Sequence, residues 1–326
     1  MKKRSLLSVL GIVYLAAAVI SLPSAGAVAA EAKYPTRGIE IICGFGVGSG
    51  TDILSRKVAD LAPNYIGVPF HVVNAPGSSG MVGLRRLLAQ PADGYTMGII
   101  TSSGLIGLST GKFKESLSEF TPLALFQLPA VWILVQYDAP YKDFGEFLEA
   151  AKTKEIRVIG SGARSGQALH VGYINKKKGT KFVFVPMAKQ AERNAAMLGK
   201  HVEACTDEIG DIYEELVATK KIRPLVVFYP ERDPRLPNVA SSWEYDLPIS
   251  VPTFRGFLLK SATPEPIVKK LTAAMKQVHD DTQYQTYVKD LFLVPGGFKN
   301  DVEFAKFLDE KSSLIRKTAE EIGWIK

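Results

Sequence analysis

Short apolar runs rich in β-branched and aromatic residues recur along this chain, at 39–43 (IEIIC), 70–73 (FHVV), 95–100 (YTMGII), 156–159 (IRVI), 182–185 (FVFV), 201–205 (HVEAC) and 222–229 (IRPLVVFY). Each has the length of a buried strand. Between them, apolar positions return at helical spacing, as with Ile53, Leu54 and Val58, then over 82–88 and 191–198, with tail helices over 266–279 and 301–322. Strand followed by helix, again and again, predicts an α/β fold built on mostly parallel sheets. The apolar, proline-punctuated stretch 121–135 (TPLALFQLPAVWILV) breaks this rhythm and is expected to carry the chain into a second domain, from which 222–229 would return it.

What stands between strand and helix is unusual. After the first run come Gly44, Gly46, Gly48 and Gly50, then Thr51 and Asp52 at the predicted helix start. Such a turn presents free backbone N–H groups and the positive end of a helix to an anion. It matches neither nucleotide fingerprint: GxGxxG fails at every register, and no Gly-Lys-Ser/Thr ending follows. The next strand ends in Asn74-Ala75-Pro76-Gly77-Ser78-Ser79-Gly80, the third in Thr101-Ser102-Ser103-Gly104, and 156–159 in Gly160-Ser161-Gly162-Ala163-Arg164-Ser165-Gly166. In an open parallel sheet the first three of these ends face one crevice, where ligands bind, while the fourth loop belongs to the second domain.

The N-terminus follows another pattern. Lys2, Lys3 and Arg4 precede an apolar run over 6–20, and a small-residue tract fills 25–30. Basic, apolar, small is the form of a secretory signal peptide, here expected to span residues 1–30 and be cleaved near Ala29 or Ala30; an uncleaved anchor is the rival reading. No later stretch is long and apolar enough to span a bilayer, so an exported, periplasmic protein is expected. The net charge of +7 then shrinks, because removing three of 40 basic residues leaves 37 against 33 acidic, or +4. These charges are interspersed and no basic cluster is interleaved with aromatics, so nucleic acid is not an expected partner. Cys43 and Cys205 are too few for a disulfide framework, and either pairing or free thiols would fit. His71, His170, His201 and His279 show no metal-ligand spacing, and no cofactor motif is present.

The segments YPTRGIEIICGFGVGSGTD, VVNAPGSSGMVG, DGYTMGIITSS, GSGARSGQALH, VPMAKQAERNAAMLGKHVEACTD and ATPEPIVKKL, taken in order, resemble the Bug (TctC-like) family of periplasmic solute-binding proteins. They span nearly the whole chain beyond the leader. The resemblance implies a two-lobed flytrap with a discontinuous first lobe, residues 31–124 plus 230–326, and a second lobe at 125–229. It further implies a small carboxylate ligand clamped between the lobes and delivery to the membrane permease subunits of a tripartite tricarboxylate transporter. Family members hold the carboxylate through two loops, which map here onto 46–52 and 76–80.

The expected ligand contacts are therefore Phe45, Val47, Gly48, Ser49, Gly50, Thr51 and Asp52 in the first loop and Pro76, Gly77, Ser78, Ser79 and Gly80 in the second. Thr101 and Ser102 join them from the third loop, Arg164, Ser165 and His170 from the fourth, and Asp207 from the second lobe. The chain departs from the family where Val-Pro-Tyr-Lys-Gly reads Val185-Pro186-Met187-Ala188-Lys189, and where the Trp-Tyr-Gly segment reads Thr253-Phe254-Arg255-Gly256. Arg164 is a candidate partner for a second carboxylate, while Arg193, inside a predicted helix, reads as a solvated side chain. A monomer is expected. Two other readings stay open: a ligand sensor signalling to a membrane kinase, and a secreted hydrolase using Ser165, His170 and Asp207, which lacks a GxSxG elbow.

Overall fold

In this computed structural model, which describes residues 34–326 apart from 188, 290, 295 and 296 and the side chain of 211, the chain alternates as its pattern predicts. β1 (Ile39–Cys43) leads into α1 (Gly50–Leu61), the single turn α2 (Pro63–Ile66), β2 (Phe70–Asn74), α3 (Met81–Leu88), β3 (Thr96–Thr101), α4 (Ser102–Ser109) and β4 (Phe120–Gln127). A crossing then leads to β5 (Trp132–Gln136), α5 (Phe144–Thr153), β6 (Ile156–Gly160), α6 (Gly166–Lys178), β7 (Phe182–Pro186), α7 (Gln190–Leu198), β8 (Ala204–Asp207), β9 (Ile222–Val227) and β10 (Ala240–Ser241). The chain returns through β11 (Arg255–Lys260) and ends in α8 (Glu265–Asp280), α9 (Thr282–Val288) and α10 (Asp301–Glu321). The leader expected over residues 1–30 lies outside the described residues. No helix among those described is long and apolar enough to cross a membrane.

Two sheets result. The first runs β2-β1-β3-β11-β4, and the second β10-β9-β5-β8-β6-β7. In each, one strand opposes the rest: β11 is antiparallel to β3 and β4, and β5 to β8 and β9. These are the two strands entered by crossing from the other sheet. All the remaining strands of a sheet point one way, which gathers their carboxyl ends, and the loops after them, on one edge. This is the two-lobed α/β architecture the residue pattern predicts.

Some elements fall differently from expectation. The strand expected over 201–205 is Ala204–Asp207, because the end of α7 closes on itself: Lys200, at φ 55°, donates its N–H to Met197 O, and His201 N–H donates to Ala196 O. Those bonds consume residues 200–201 and shift the strand forward, placing Asp207 inside it. β4 continues to Gln127 and β10 adds Ala240–Ser241 to the second sheet, so sheet membership changes at about 128–131 and again after 241. Helix α9 carries too few apolar positions to announce itself.

Both sheets are sandwiched by helices whose apolar faces are fixed by well-defined ends. Ser49 caps α1, Asp143 caps α5, and Asn300 with Glu303 forms a reciprocal capping box on α10. Phe126 centres one core, meeting Phe257, Tyr284 and Phe298 edge-on at ring distances of 5.2, 5.5 and 5.7 Å. Helix α10 lies behind both sheets. Ser312 hydrogen-bonds Ser109 of α4, Lys311 reaches Ser250 O, and beyond its last turn Ile322 packs against Gly172 of α6.

The first two glycine loops are pressed together by backbone contact. A Cβ on Gly44 would lie 2.5 Å from Gly80 O, and one on Gly83 would lie 2.8 Å from Gly44 Cα. Neither neighbour is a flexible side chain that can swing aside. Gly83→Ala is therefore expected to cost about 1–3 kcal/mol by forcing α3 off the first loop. A urea midpoint unchanged from wild type would show that the contact is slack.

Candidate functional site

The carboxyl-end loops of both sheets face each other across a cleft. Its inner part is a cavity of about 260 Å³ lined from the first sheet by Phe45, Ser49, Gly50, Thr51, Thr101, Ser102 and Arg255, and from the second by Ser161, Ser165, Gln167, Arg193, Asp207 and Glu208. It continues into an outer part of about 570 Å³ that adds Val47, Gly48, Gln127 and Lys189. Two larger hollows lie elsewhere, about 680 Å³ beside α8 and about 730 Å³ beside the β2 edge. The α10 start bordering the first is already capped by Asn300 and carries Asp301 and Glu303, which repel an anion. The second is an open surface trough along α1 and β2.

The cleft differs from these in receiving four helix N-termini: α1 and α4 from the first sheet, α6 and α7 from the second. The first-turn N–H groups of a helix have no intrahelical acceptor, and its end carries roughly half a positive charge. Around them stand the buried hydroxyls of Thr51, Thr101 and Ser102. Thr101 Oγ1 has no hydrogen-bond partner. The arrangement can hold a small anion.

Within the first loop, Asp52 does another job. It is 1% exposed, accepts hydrogen bonds from Gly48 N–H (2.9 Å), Arg56 Nε (3.0 Å) and Asn74 Nδ2 (2.8 Å), and stays outside the cleft. Burial works to raise its pKa, but these three donors outweigh it and hold the carboxyl below the ordinary aspartate value. Asp52 is thus the strut that fixes the loop while Ser49, Gly50 and Thr51 face the cavity. Phe45 lines the inner wall with its ring against Gly80, and Val47 and Gly48 line the mouth.

The second loop does not reach the cleft. Pro76, Gly77 and Ser78 are exposed, Ser79 is partly so, and Gly80 is buried behind Phe45 and Gly44. Residues 77–80 all have positive φ, with Ser78 at 51° and Ser79 at 59°, in the tight turn that packs Gly80 against Gly44. Three residues of the second lobe also fall differently. Ser165 lines the cavity, but its Oγ donates to Gly162 O and accepts from Ala168 N–H, so the hydroxyl is spent on capping α6. Arg164 is exposed, with its guanidinium 5.6 Å from the Trp324 ring. His170 is fully buried: it stacks on Phe228 at 4.2 Å, accepts Val251 N–H at Nε2, and burial drives its pKa down to about 3. Neither lines the cleft: Arg164, in the loop before α6, runs outward to Trp324, and His170, on α6 itself, faces the core.

Besides the exposed Lys189 at the mouth, the cations of the cleft are two arginines, Arg193 and Arg255, which the residue pattern does not mark as ligand contacts. Arg193, 5% exposed, donates Nε–H to Asp207 Oδ2 at 2.7 Å and Nη1–H to Met187 O at 2.9 Å. Asp207 also accepts from Gln167 Nε2 (3.3 Å) and Glu208 N–H (3.0 Å). Burial pushes its carboxyl up to about 6, against the pull of Arg193. Arg255 donates to Gln127 Oε1 (3.1 Å) and to Glu208 Oε2 (3.4 Å), the latter across the cleft. The signal that could have found Arg193 is its i+4 step from Lys189 on a helix whose start faces the cleft. Arg255 gave only its place at the end of a strand where the family has an uncharged residue. Cys43 and Cys205 are buried free thiols, one in each sheet, and no group of three or more His, Cys, Asp and Glu among the described residues could hold a metal.

Fold and cleft together define a two-lobed solute-binding protein. The profile of the tripartite tricarboxylate transporter family receptor, TctC, matches residues 54–323, and the chain belongs to that family. It is similar to the UPF0065 protein in the gbd 5′ region of Cupriavidus necator, 26% identical over 332 residues that cover 100% of this chain and 99% of the relative. Its fold is similar to that of a TctC solute-binding protein from Polaromonas solved without ligand, with TM-score 0.77, 27% identity and coverage of 88% of this chain and 99% of that one. MatC from Rhodopseudomonas palustris, solved with bound malate, shares the fold at TM-score 0.73 and 24% identity over 87% of this chain and 99% of its own.

The buried ion pair sets a pH dependence. The folded pKa of Asp207 lies above the ordinary 3.8, so the native state holds this proton more tightly than the unfolded chain does. Its contribution to stability therefore falls as pH climbs from about 4 to about 6 and is constant above that. Arg193→Met leaves the carboxylate buried without its guanidinium. We expect a loss of about 3–5 kcal/mol at pH 8, shrinking at pH 5 as protonation removes the stranded charge. Urea unfolding at both pH values checks this, and an equal loss at the two would rule the electrostatic account out.

Proposed function

We propose that this chain is an exported, periplasmic receptor that binds a small organic anion, a mono- or dicarboxylate, between its lobes and hands it to the membrane permease subunits of a tripartite tricarboxylate-type transporter. The observation that carries the reading is the meeting of four helix N-termini, from both sheets, on one cavity that also holds Arg255. An anion placed there gains from both lobes at once, which favours the closed form over the open one, and closure is the shape change a permease can recognise. A charge at a helix end is worth about 0.3–1 kcal/mol when exposed and up to ~2 when partly buried. Micromolar affinity requires about 8 kcal/mol, so no single contact suffices and several helix ends, hydroxyls and a guanidinium must act together. Thr51, Thr101 and Ser102 have their place in the cavity and no side-chain capping bond.

The geometry favours binding over hydrolysis. Ser165 spends its hydroxyl on a cap, His170 lies in the core, and Asp207 pairs with an arginine, so the three do not form a relay. The malate in the distant MatC structure is a fact about that protein; it makes malate a sensible first probe here.

A thermal-shift series with malate, succinate, adipate, citrate and benzoate against neutral sugars and amides tests the reading. An acid at 100 times its dissociation constant adds about 2.7 kcal/mol, a rise of several degrees at this size. A midpoint that moves with a neutral or cationic solute and with none of the acids would overturn the carboxylate assignment.

A further inference from the structure

The cleft already contains a carboxylate where the ligand's is expected. Arg255, on β11 of the first sheet, lays its guanidinium against the start of α1: a Cβ on Gly50 would lie 3.0 Å from its Nη2. The same Nη2 stands 3.4 Å from Glu208 Oε2. Glu208 follows β8 in the second sheet, so its side chain crosses the cleft to reach the positive corner made by Arg255 and the α1 N-terminus. The pair is mostly shielded, with side-chain exposures of 15% and 21%, and Gln127 Oε1 fixes the other arm of the guanidinium at 3.1 Å.

We propose that Glu208 is a built-in competitor for the anion site: it latches the empty lobes together through Arg255 and must be displaced by an incoming ligand carboxylate. This rests on the carboxylate reading above and assigns two residues their parts in it. Arg255 takes the ligand's charge; Glu208 sets how strongly an acid must bind to win that place. An acid that offers one carboxylate to Arg255 and a second to another donor displaces Glu208 and still bridges the lobes, whereas a weak monocarboxylate merely exchanges one anion for another. The cleft therefore selects for dicarboxylates by making the first exchange nearly neutral.

The test has an arm that needs no ligand. Spin labels on Asp60→Cys and Ala195→Cys, exposed sites on α1 and α7, report the distance across the cleft while Cys43 and Cys205 stay buried. In the empty protein, Glu208→Gln and Arg255→Gln should each lengthen or broaden that distance. Salt at 1 M should do the same to the otherwise unmutated labelled protein, which keeps the test decisive should either variant fold poorly. A distance distribution unmoved by both substitutions and by salt overturns the latch. Calorimetric titration with malate then reads the competition: about threefold to tenfold tighter binding to Glu208→Gln, and at least tenfold weaker binding to Arg255→Gln. Weaker or unchanged binding to Glu208→Gln overturns the proposal, because Glu208 would then be a ligand contact or a bystander. If the distances shift but no form of the protein binds malate or any other acid of the thermal-shift series, the latch stands and the carboxylate reading is what fails.

Discussion

Helix starts that converge on one point repel each other and leave their N–H groups without acceptors, and this structure brings four of them together. Asp207 and Glu208, adjacent at the end of β8, bring carboxylates to the same place, but each is matched by an arginine, Arg193 within its own lobe and Arg255 across the gap, so the helix ends keep their pull on an added anion. Much else follows from that constraint. Ser49 and Ser165 are held to capping, Asp52 is turned behind the first loop to tie it down, and the second loop is packed against the first so that the α1 start cannot shift. The cleft is the place where these helix ends and ion pairs meet.

The same geometry explains what could be read in the sequence. Strand and helix alternation is a property of local pattern, so the α/β architecture and most elements were legible, as was the first glycine loop with Ser49, Gly50 and Thr51 lining the cleft. The third loop, with Thr101 and Ser102, was legible for the same reason. What escaped depends on rotation and on partners far away in the chain. Arg164 lies in a loop aimed toward the cleft, yet its side chain runs along the outside to Trp324, whereas Arg193, on a helix, is turned inward. One helical turn decides that difference, and spacing alone cannot reveal which face of α7 meets the second sheet. The role of Arg255 depends on Gly50, Gln127 and Glu208, scattered over three distant stretches.

The second loop shows another limit of sequence. Its composition, proline, glycine and serine, is that of a ligand loop, and also that of a tight support whose backbone must pass within contact distance of Gly44. What separates the two is contact: Gly80 packs against Gly44 and Phe45, and residues 76–80 are absent from the cleft lining. His170 is a similar case. A histidine soon after a serine-glycine loop suggests chemistry, but its stacking on Phe228 and its bond from Val251 N–H make it a neutral member of the core.

The contact between Arg164 and Trp324 has an optical side. Arg164 belongs to the loop before α6, in the second lobe, while Trp324 follows α10, which rests on the first sheet and reaches the second only at its end. Of the three tryptophans in the chain, Trp132 is sealed in the core, and Trp243 sits in a short turn after β10. Trp324 has its indole within reach of the Arg164 guanidinium. A guanidinium approaching or leaving that ring alters its emission, so Trp324 fluorescence reports how the loop before α6 sits against the end of the chain, with no dye attached.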